Sequence, residues 1–197
     1  MKNISSISLA RVQHEFLLTE WYKDHFRQFE LDGFEPSKLD PDKSSDAKII
    51  EKMLLSFRAP ILSNLPVDTV WQIGELERNE FKNLLVIRER GWVLTFGNSR
   101  KVQDVAIAVS NGVQEQGGVN IPLIQDIKKS IGTHPFKERI ILISTGEVGP
   151  YTIIEGNHRA VAYQQKSLEI GSEKYLPKEV ILGTSTSMYK CPWLNQP

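Results

Sequence analysis

The feature that most constrains the fold is a pair of short apolar runs, "ERIILIST" (138–145) and "YTIIEG" (151–156), joined by the turn-forming residues "GEVGP". Short runs rich in β-branched residues predict buried strands, and glycine with proline between them predicts a turn. The two runs therefore predict a β-hairpin. The residues after Gly156, over 157–170, are mostly good helix formers, which predicts a helix that begins at the end of the second strand.

The amino-terminal third of the chain predicts helices. Apolar residues recur at helical spacing over 7–29, and a second helix is predicted over 47–57, where Pro60 would end it. The stretch between these helices is rich in turn formers and solvated charge, which predicts a loop. We therefore predict a helical amino-terminal extension over residues 1–65, followed by a second domain over residues 66–197.

The rest of the chain mixes strands with helices. Residue propensities predict strands at 68–76, 92–96 and 179–187. Apolar spacing and end signals predict helices at 77–90, 100–111 and 121–131. With the hairpin and the helix after it, this order predicts a mixed α+β arrangement of the α/β class, a small sheet-and-helix domain.

Composition narrows the possible functions. The 24 basic residues balance the 24 acidic residues, which argues against a protein that mainly coats nucleic-acid phosphates. Cys191 is the single cysteine, so an intramolecular disulfide and a zinc site of the CxxC type are excluded. The first residues lack the apolar core of a signal peptide, and no run reaches the roughly eighteen apolar residues of a membrane span. We expect a cytoplasmic protein with no membrane partner.

The residues "EGNHR" (155–159), where the second strand turns into the helix, form the candidate site. Glycine at position 156 permits a sharp turn and a close approach of a ligand. The amides of Asn157, His158 and Arg159 would be among the first of the helix and would lack intrahelical acceptors. A helix amino terminus also carries partial positive charge, so it is suited to bind phosphate. We predict Gly156, Asn157, His158 and Arg159 as phosphate-binding residues.

Three side chains add chemistry to this turn. The guanidinium of Arg159 offers a planar fork of donors to phosphate oxygens, and His158 can exchange a proton near neutral pH. Glu155 can hold a divalent metal ion, act as a base or bind the polar end of an acceptor molecule. The competing interpretation is ordinary helix capping, since glycine and asparagine are common where a strand turns into a helix, with His158 or Arg159 paired to a neighbouring carboxylate.

The segment "IIEGNHRAVAYQQ" (153–165) resembles the strand, turn and helix of the ParB/sulfiredoxin superfamily, in which a Gly-x-His-Arg or Gly-x-Arg-Arg turn holds nucleotide phosphates. The preceding "IQDIKKSIGTHPFKERIILIS" (124–144) is similar to the helix, loop and strand of that superfamily. The resemblance extends over about residues 120–187. It implies a ParB/sulfiredoxin-like domain in which Gly156 and the His-Arg pair after Asn157 form the phosphate-binding turn.

Asn157 departs from the sulfiredoxin pattern. Sulfiredoxins have their catalytic cysteine at this position, and an amide cannot act as that nucleophile, so we do not expect sulfiredoxin chemistry. The DNA-partition members add a helix-turn-helix and a dimerisation domain, which we do not expect in the short stretch after residue 187. The free serine kinases of the superfamily keep an acidic residue, a glycine and a His-Arg pair in this turn, and "EGNHR" is most similar to that pattern.

The resemblance to these kinases implies a nucleotide-binding enzyme. It implies an ATP- or ADP-dependent phosphotransferase that acts on a small hydroxylated molecule, with Mg²⁺ bridging the phosphate oxygens. Glu155 and His158 would be its catalytic residues, and no residue is assigned as a ligand of a resident metal. The alternative is a ParB-like module that binds nucleotide or DNA, with nuclease or CTPase activity.

Other polar residues offer further possibilities. A second alignment to the superfamily would place Lys101 on the nucleotide phosphates. The hydroxyls of 184–187 can line an acceptor pocket or form a plain polar loop. Glu75 and Glu77 would share one face of a strand, where they can bind magnesium or face solvent.

Overall fold

A computed structural model describes residues 1–21, 26, 29, 32–97, 99–133 and 138–194. For residues 57–60, 62, 63 and 78 it describes the backbone only. The described part contains five strands: β1 (Lys2–Ser6), β2 (Val70–Glu75), β3 (Ile140–Ser144), β4 (Thr152–Glu155) and β5 (Glu179–Thr184). It contains seven α-helices: α1 (Leu9–Glu20), α2 (Ser44–Ser63), α3 (Arg78–Phe81), α4 (Arg90–Phe96), α5 (Val102–Ser110), α6 (Ile121–Ser130) and α7 (Asn157–Ile170). Short 3-10 turns cover Pro36–Lys38 and Met188–Lys190.

The five strands form one mixed sheet in the order β1-β2-β5-β3-β4. Only β3 and β5 run parallel, and the other neighbouring pairs are antiparallel. All five residues of β3 are buried, so both faces of the sheet are covered at that strand. The predicted hairpin of β3 and β4 and the predicted mixed α/β class are confirmed.

Helices α1 and α2 share one hydrophobic core with the sheet. Phe16 of α1 and Leu54 of α2 are fully buried in the same cluster as Leu142 of β3 and Val161 of α7. Helix α1 packs on α2, and α7 packs on both α5 and α6. Burial of apolar surface is the dominant favourable contribution to folding, so the first helices and the sheet stabilise each other. The domain boundary between residues 65 and 66 stays a prediction.

The amino-terminal region also contains a strand. β1 pairs antiparallel with β2 at the edge of the sheet, and all five of its residues are exposed. The sequence "KNISS" is short and polar, so it lacks the apolar alternation by which a strand is predicted. The predicted extension over residues 1–65 therefore contains a strand as well as helices.

Helix α2 is longer than predicted, because it continues through Pro60 to Ser63. Proline removes one backbone donor and usually ends a helix. Here the next residue, Ile61, is buried in the hydrophobic core, which favours continuation of the last turn. The predicted stop at Pro60 is wrong.

The predicted helix over 77–90 is wrong except for its first residues, which form the short helix α3. Residues 84–87, which we call the 84–87 segment, are extended and all four are buried. Leu85 accepts the amide of Ile153 at 2.8 Å and donates its own amide to Tyr151 at 2.9 Å, which covers the outer edge of β4. Four consecutive buried residues suit an extended segment between layers and do not suit a helix with one exposed face.

The predicted strand over 92–96 is also wrong, because these residues lie in helix α4. The rings of Trp92 and Phe96, four residues apart, stack with centroids 5.6 Å from each other, as one face of a helix allows. The hydroxyl of Thr95 donates to the carbonyl of Gln116 in the loop between α5 and α6. These contacts outweigh the β propensity of the local sequence.

The remaining elements follow the predictions. The strands predicted at 68–76 and 179–187 correspond to β2 and β5, and the helices predicted at 100–111 and 121–131 correspond to α5 and α6. The first predicted helix corresponds to α1 up to Glu20, and most of its later residues lie outside the described part. No helix in the described part is both long enough and apolar enough to span a bilayer.

We expect Gly183→Ala to lower the free energy of unfolding by about 1–3 kcal/mol, the usual cost of overpacking a core. Gly183 of β5 lies opposite Trp71 of β2, and an added Cβ would come within 2.6 Å of the indole ring. Urea unfolding monitored by tryptophan fluorescence measures the change.

The matched control is Gly146→Ala, where an added Cβ would have no atom within 4 Å. We expect this variant to differ from the unmodified protein by about 0.5 kcal/mol or less. Equal losses in the two variants would show that the contact between Trp71 and Gly183 does not limit the packing of the sheet.

Candidate functional site

A cavity of about 720 Å³ lies at the turn between β4 and α7. All five residues of the predicted site, Glu155 to Arg159, border it. The other walls come from α1, α2, α6 and the region of α4. A concave space of this volume is within the range of small-molecule binding sites.

The amino terminus of α7 lies at this cavity without a side-chain cap. Gly156 precedes the helix in the left-handed region, with φ +92° and ψ 21°, a conformation that other residues rarely adopt. The first intrahelical bond joins the amide of Ala160 to the carbonyl of Gly156 at 2.8 Å. The amides of the three residues between them therefore precede the hydrogen-bond ladder of the helix, as an anion-binding helix terminus requires.

The side chain of Asn157 connects the turn to the 84–87 segment. Its carbonyl oxygen accepts the backbone amide of Ile87 at 2.9 Å, and both residues are buried. Asn157 is the first residue of α7 and does not cap it. The competing interpretation of this asparagine as a helix cap is therefore wrong, and its visible role is to hold the extended segment beside the site.

The guanidinium of Arg159 is directed at the main chain before β3. It donates to the carbonyl of Glu138 at 2.7 Å and to that of Arg139 at 3.4 Å, and it lies 3.8 Å from the carboxylate of Glu155. Arg159 is only 7% exposed. These contacts fix the start of β3 relative to the turn, so the guanidinium has a structural role beside its predicted role in phosphate binding.

His158 packs against helix α4. Its ring centroid lies 5.1 Å from that of Trp92, with an interplanar angle of 59°, and both residues border the cavity. Tilted aromatic contacts at this distance are favourable, and they restrict the orientation of the imidazole. The orientation of His158 therefore depends on α4, an element that the sequence predicted as a strand.

Carboxylates dominate the charge of the described residues that border the cavity. Four glutamates border it: Glu20, Glu89, Glu138 and Glu155. Arg159 is the single lysine or arginine among the described residues of the wall. Opposite charges at close range attract strongly where water is scarce and like charges repel, so the cavity favours cations and opposes a bare polyphosphate.

Sequence reasoning missed the parts of the wall that come from distant elements. Glu20 ends α1, Trp92 belongs to α4, and Leu123 and Ile127 lie on α6. Each of these residues has an ordinary role in its local pattern, as a helix end or as part of an apolar face. Only their convergence on one cavity distinguishes them, and no local signal carries that information.

The other sequence candidates lie away from the cavity. Lys101 precedes α5 and is not among the described residues of the wall. Ser185 donates its hydroxyl to Asp68 at 2.8 Å, so the hydroxyl-rich stretch joins the end of β5 to the loop before β2. Glu77 precedes α3, where it exchanges hydrogen bonds with Glu80, and it shares no strand with Glu75.

The described residues at the site include neither a metal cage nor a thiol. No group of three or more histidine, cysteine or acidic residues is arranged to hold a metal ion in the described part of the chain. Cys191 is buried away from the cavity wall, and burial raises the pKa of its thiol. A raised pKa disfavours the nucleophilic thiolate.

Comparison with protein-family models, with curated proteins and with solved structures finds no match to this chain. The family resemblance of the turn and the roles of its five residues stay predictions.

We expect Asn157→Ala to lower the free energy of unfolding by about 1–3 kcal/mol, because it leaves the buried amide of Ile87 without its acceptor. Chemical denaturation measures the loss. The control is Asn83→Ala, which removes an exposed hydrogen bond to the carbonyl of Asn79 and should cost about 0.5 kcal/mol or less. A loss as small as that of the control would mean that the bond to Ile87 does not hold the 84–87 segment in place.

Proposed function

We propose that this protein is a nucleotide-dependent phosphotransferase that moves the terminal phosphoryl group of ATP or ADP to a hydroxyl group of a small molecule. The observation that carries the proposal is the uncapped amino terminus of α7, which follows the left-handed Gly156 at the wall of the 720 Å³ cavity. The resemblance of "EGNHR" to the turn of the free serine kinases supports the same conclusion.

The nucleotide phosphates would bind at the first turn of α7. The amides of Asn157, His158 and Arg159 would donate to phosphate oxygens, aided by the partial positive charge of the helix terminus. The guanidinium of Arg159, held by the carbonyls before β3, would contribute positive charge from a fixed position. Its fixed position lowers the entropy lost when phosphate binds, since the side chain is already ordered.

Magnesium fits this cavity as an ion carried by the nucleotide. The described residues contain no three-residue metal group, but Mg²⁺ needs only one or two protein carboxylates when phosphates supply other ligands. Glu155 is the carboxylate of the turn that would contribute an oxygen. The ion would neutralise phosphate charge. This is needed because the four glutamates of the described wall repel phosphate.

The chemical step needs an acceptor hydroxyl in line with the terminal phosphorus. The hydroxyl oxygen forms a bond to that phosphorus, the bond to the bridging phosphate oxygen breaks, and the nucleotide leaves with one phosphate fewer. Glu155 would accept the proton of the hydroxyl, with His158 as the second group able to do so. Both side chains border the same cavity, next to the amides that would hold the phosphates.

Helices α1 and α2 would exclude water from the reaction. Leu18 and Glu20 of α1 and Ile61 of α2 border the cavity. An active site that transfers phosphoryl groups must keep water away from the phosphorus, since water competes with the acceptor as nucleophile. The amino-terminal helices would therefore be part of the enzyme's active site.

The alternative of a DNA-binding module gains no support from this geometry. A protein that binds the DNA backbone needs lysine and arginine side chains that can release counterions. Among the described residues, four glutamates and one arginine border the cavity at the turn. We therefore favour a nucleotide and a small acceptor as the partners of this site.

We expect Mg-ATP or Mg-ADP to raise the melting temperature by about 5–10 °C at a concentration near 100 times the dissociation constant. Omission of Mg²⁺ should reduce the shift, because the glutamates of the wall repel bare phosphate. His158→Glu should abolish the thermal shift. A carboxylate at the second position of a helix is compatible with the helix terminus, but it repels phosphate. Differential scanning fluorimetry measures all three effects.

The control for this experiment is Gln103→Glu. Gln103 is the second residue of α5, as His158 is of α7, but it does not border the cavity. This variant should keep the full shift with Mg-nucleotide. A shift that survives in His158→Glu, or the absence of any shift with the unmodified protein, would contradict phosphate binding at α7.

We expect Glu155→Gln to reduce phosphoryl transfer by about 10²- to 10⁴-fold, the usual contribution of a general base. The thermal shift with Mg-nucleotide should fall only in part, because the amides of α7 remain while the neutral amide is a weaker ligand for Mg²⁺ than the carboxylate. Release of the shortened nucleotide in the presence of a pool of small hydroxylated compounds measures turnover. Glu51→Gln, an exposed change on α2, is the control and should keep normal turnover. Equal turnover in Glu155→Gln and the unmodified protein would exclude Glu155 as the base.

A further inference from the structure

A single peptide unit joins helix α1 to the guanidinium of Arg159. This unit is the peptide between Glu138 and Arg139, directly before β3, and we call it the 138–139 peptide. Its carbonyl, which belongs to Glu138, accepts Nη1 of Arg159 at 2.7 Å. Its amide, which belongs to Arg139, donates to Oε2 of Glu15 in α1 at 3.3 Å. Glu15 and Arg159 therefore hold the same peptide unit at its two polar ends.

The second oxygen of Glu15 binds the side chain that follows this peptide. Nη1 of Arg139 donates to Oε1 of Glu15 at 2.8 Å, so one carboxylate holds both the main chain and the side chain of Arg139. The side chain of Glu15 is 20% exposed, and an ion pair at such a site is less screened by water than a fully exposed pair. The position of the 138–139 peptide therefore depends on α1 as well as on the sheet.

Glu179 provides an internal comparison. It begins β5, and its Oε2 accepts Nε and Nη2 of Arg139 at 3.1 and 2.8 Å. Glu15 and Glu179 thus hold the same guanidinium from two sides. The two carboxylates differ because the amide of the 138–139 peptide donates to Glu15.

Helix α1 also borders the cavity next to this connection. Leu18 and Thr19 follow Glu15 by three and four residues, so they lie on the same face of the helix, and both border the cavity. Glu138 and Arg159 border it as well. The part of α1 at the cavity and the guanidinium of the turn are therefore connected through two hydrogen bonds and one peptide.

Hydrogen bonds that share a peptide strengthen each other. A carboxylate that accepts the amide polarises the peptide, which makes the carbonyl at the other end a better acceptor. Both bonds of the 138–139 peptide have a charged partner, and such bonds are stronger than bonds between neutral groups. Loss of Glu15 would weaken the bond that fixes the guanidinium of Arg159.

We infer that Glu15 is a positioning residue of the nucleotide site. Through the 138–139 peptide it holds the guanidinium of Arg159 where the guanidinium can meet the phosphates. This inference rests on the proposed phosphotransferase function, since it gives Glu15 a part in the nucleotide affinity of the same site. Glu15 acts through Arg159 and is not among the described residues of the cavity wall.

Glu15→Ala and Glu179→Ala form a matched pair of variants. Each removes one carboxylate partner of Arg139 and leaves the other, and only Glu15→Ala also removes the acceptor of the 138–139 amide. Glu15→Ala should raise the dissociation constant of Mg-ATP or Mg-ADP by about three- to thirtyfold, the range expected within one hydrogen-bond network. Glu179→Ala should change it by about twofold or less. Isothermal titration calorimetry on the full chain measures both constants.

Arg159→Met tests whether the effect of Glu15 passes through the guanidinium. Methionine keeps most of the bulk of the side chain and removes all of its donors. In this background Glu15→Ala should cause no further loss of affinity for Mg-nucleotide, because residues that act through one contact are not additive. A further loss as large as that in the unmodified protein would show that Glu15 acts by another route, and would overturn the inference.

NMR on the protein without nucleotide tests the position of the guanidinium directly. Both amino groups of Arg159 donate to carbonyls, so rotation about its Cζ–Nε bond, which exchanges the two groups, should be slow. Glu15→Ala should accelerate this rotation by about two- to tenfold, as expected when one hydrogen bond is weakened. Glu179→Ala should leave the rotation rate unchanged.

Glu15→Gln separates the charge of Glu15 from its shape. It keeps one acceptor oxygen for the 138–139 amide without the negative charge, so both measurements should give values between those of the unmodified protein and Glu15→Ala. Circular dichroism shows whether each variant is folded. If Glu15→Ala does not fold, unchanged affinity and unchanged rotation in Glu15→Gln overturn the inference.

Failure of the inference is distinguishable from failure of the proposed function. Unchanged rotation of the Arg159 guanidinium in Glu15→Ala overturns the inference, whether or not nucleotide binds. Equal losses of affinity in Glu15→Ala and Glu179→Ala also overturn it, because the loss would then come from the ion pairs of Arg139. If the unmodified protein binds neither Mg-ATP nor Mg-ADP, the phosphotransferase is refuted, and with it the role of Glu15 in nucleotide binding.

Discussion

The hydrogen bond from the amide of Ile87 to the side chain of Asn157 holds the candidate site together. It joins the 84–87 segment, which covers the edge of β4, to the first residue of α7. Two residues further along, the guanidinium of Arg159 joins the same helix to the main chain before β3. A buried amide that loses its acceptor costs more than an exposed one, so these bonds constrain the backbone of the turn strongly. The five-residue turn is therefore held from two sides by its own side chains, which keeps the helix terminus directed at the cavity.

The site combines two opposing electrostatic features. The terminus of α7 carries partial positive charge from its uncapped amides, while four glutamates from different elements border the same cavity. A bare anion would be attracted by the first feature and repelled by the second. A nucleotide that carries Mg²⁺ satisfies both, since its phosphates meet the amides and its net charge is lowered. The arrangement therefore fits the proposed metal-bound nucleotide better than it fits a bare polyphosphate.

The amino-terminal helices serve the core and the cavity together. Phe16 and Leu17 of α1 are fully buried in the common core, while Leu18, Thr19 and Glu20 border the cavity. Residues 16–20, about one turn of the helix, thus contribute both to the core and to the wall of the candidate site. Because the helix is fixed by its buried residues, the side chains of 18–20 have defined positions in the wall. The same reasoning applies to Trp92, whose packing on Phe96 and His158 links α4 to the turn.

The sequence by itself determined the hairpin of β3 and β4, the start of α7 and the place of Gly156, because these depend on apolar runs, turn residues and glycine over a few neighbouring positions. Prediction from the sequence was wrong over most of 77–96. There, burial on both sides favours an extended 84–87 segment, and packing of the Trp92 and Phe96 rings favours the helix at 90–96. The sequence could identify the five residues of the turn but not the acidic and apolar wall opposite them, which residues such as Glu20, Trp92 and Leu123 supply. Those residues are far apart in sequence, and only the packing of α1, α4 and α6 around the sheet brings them to one cavity.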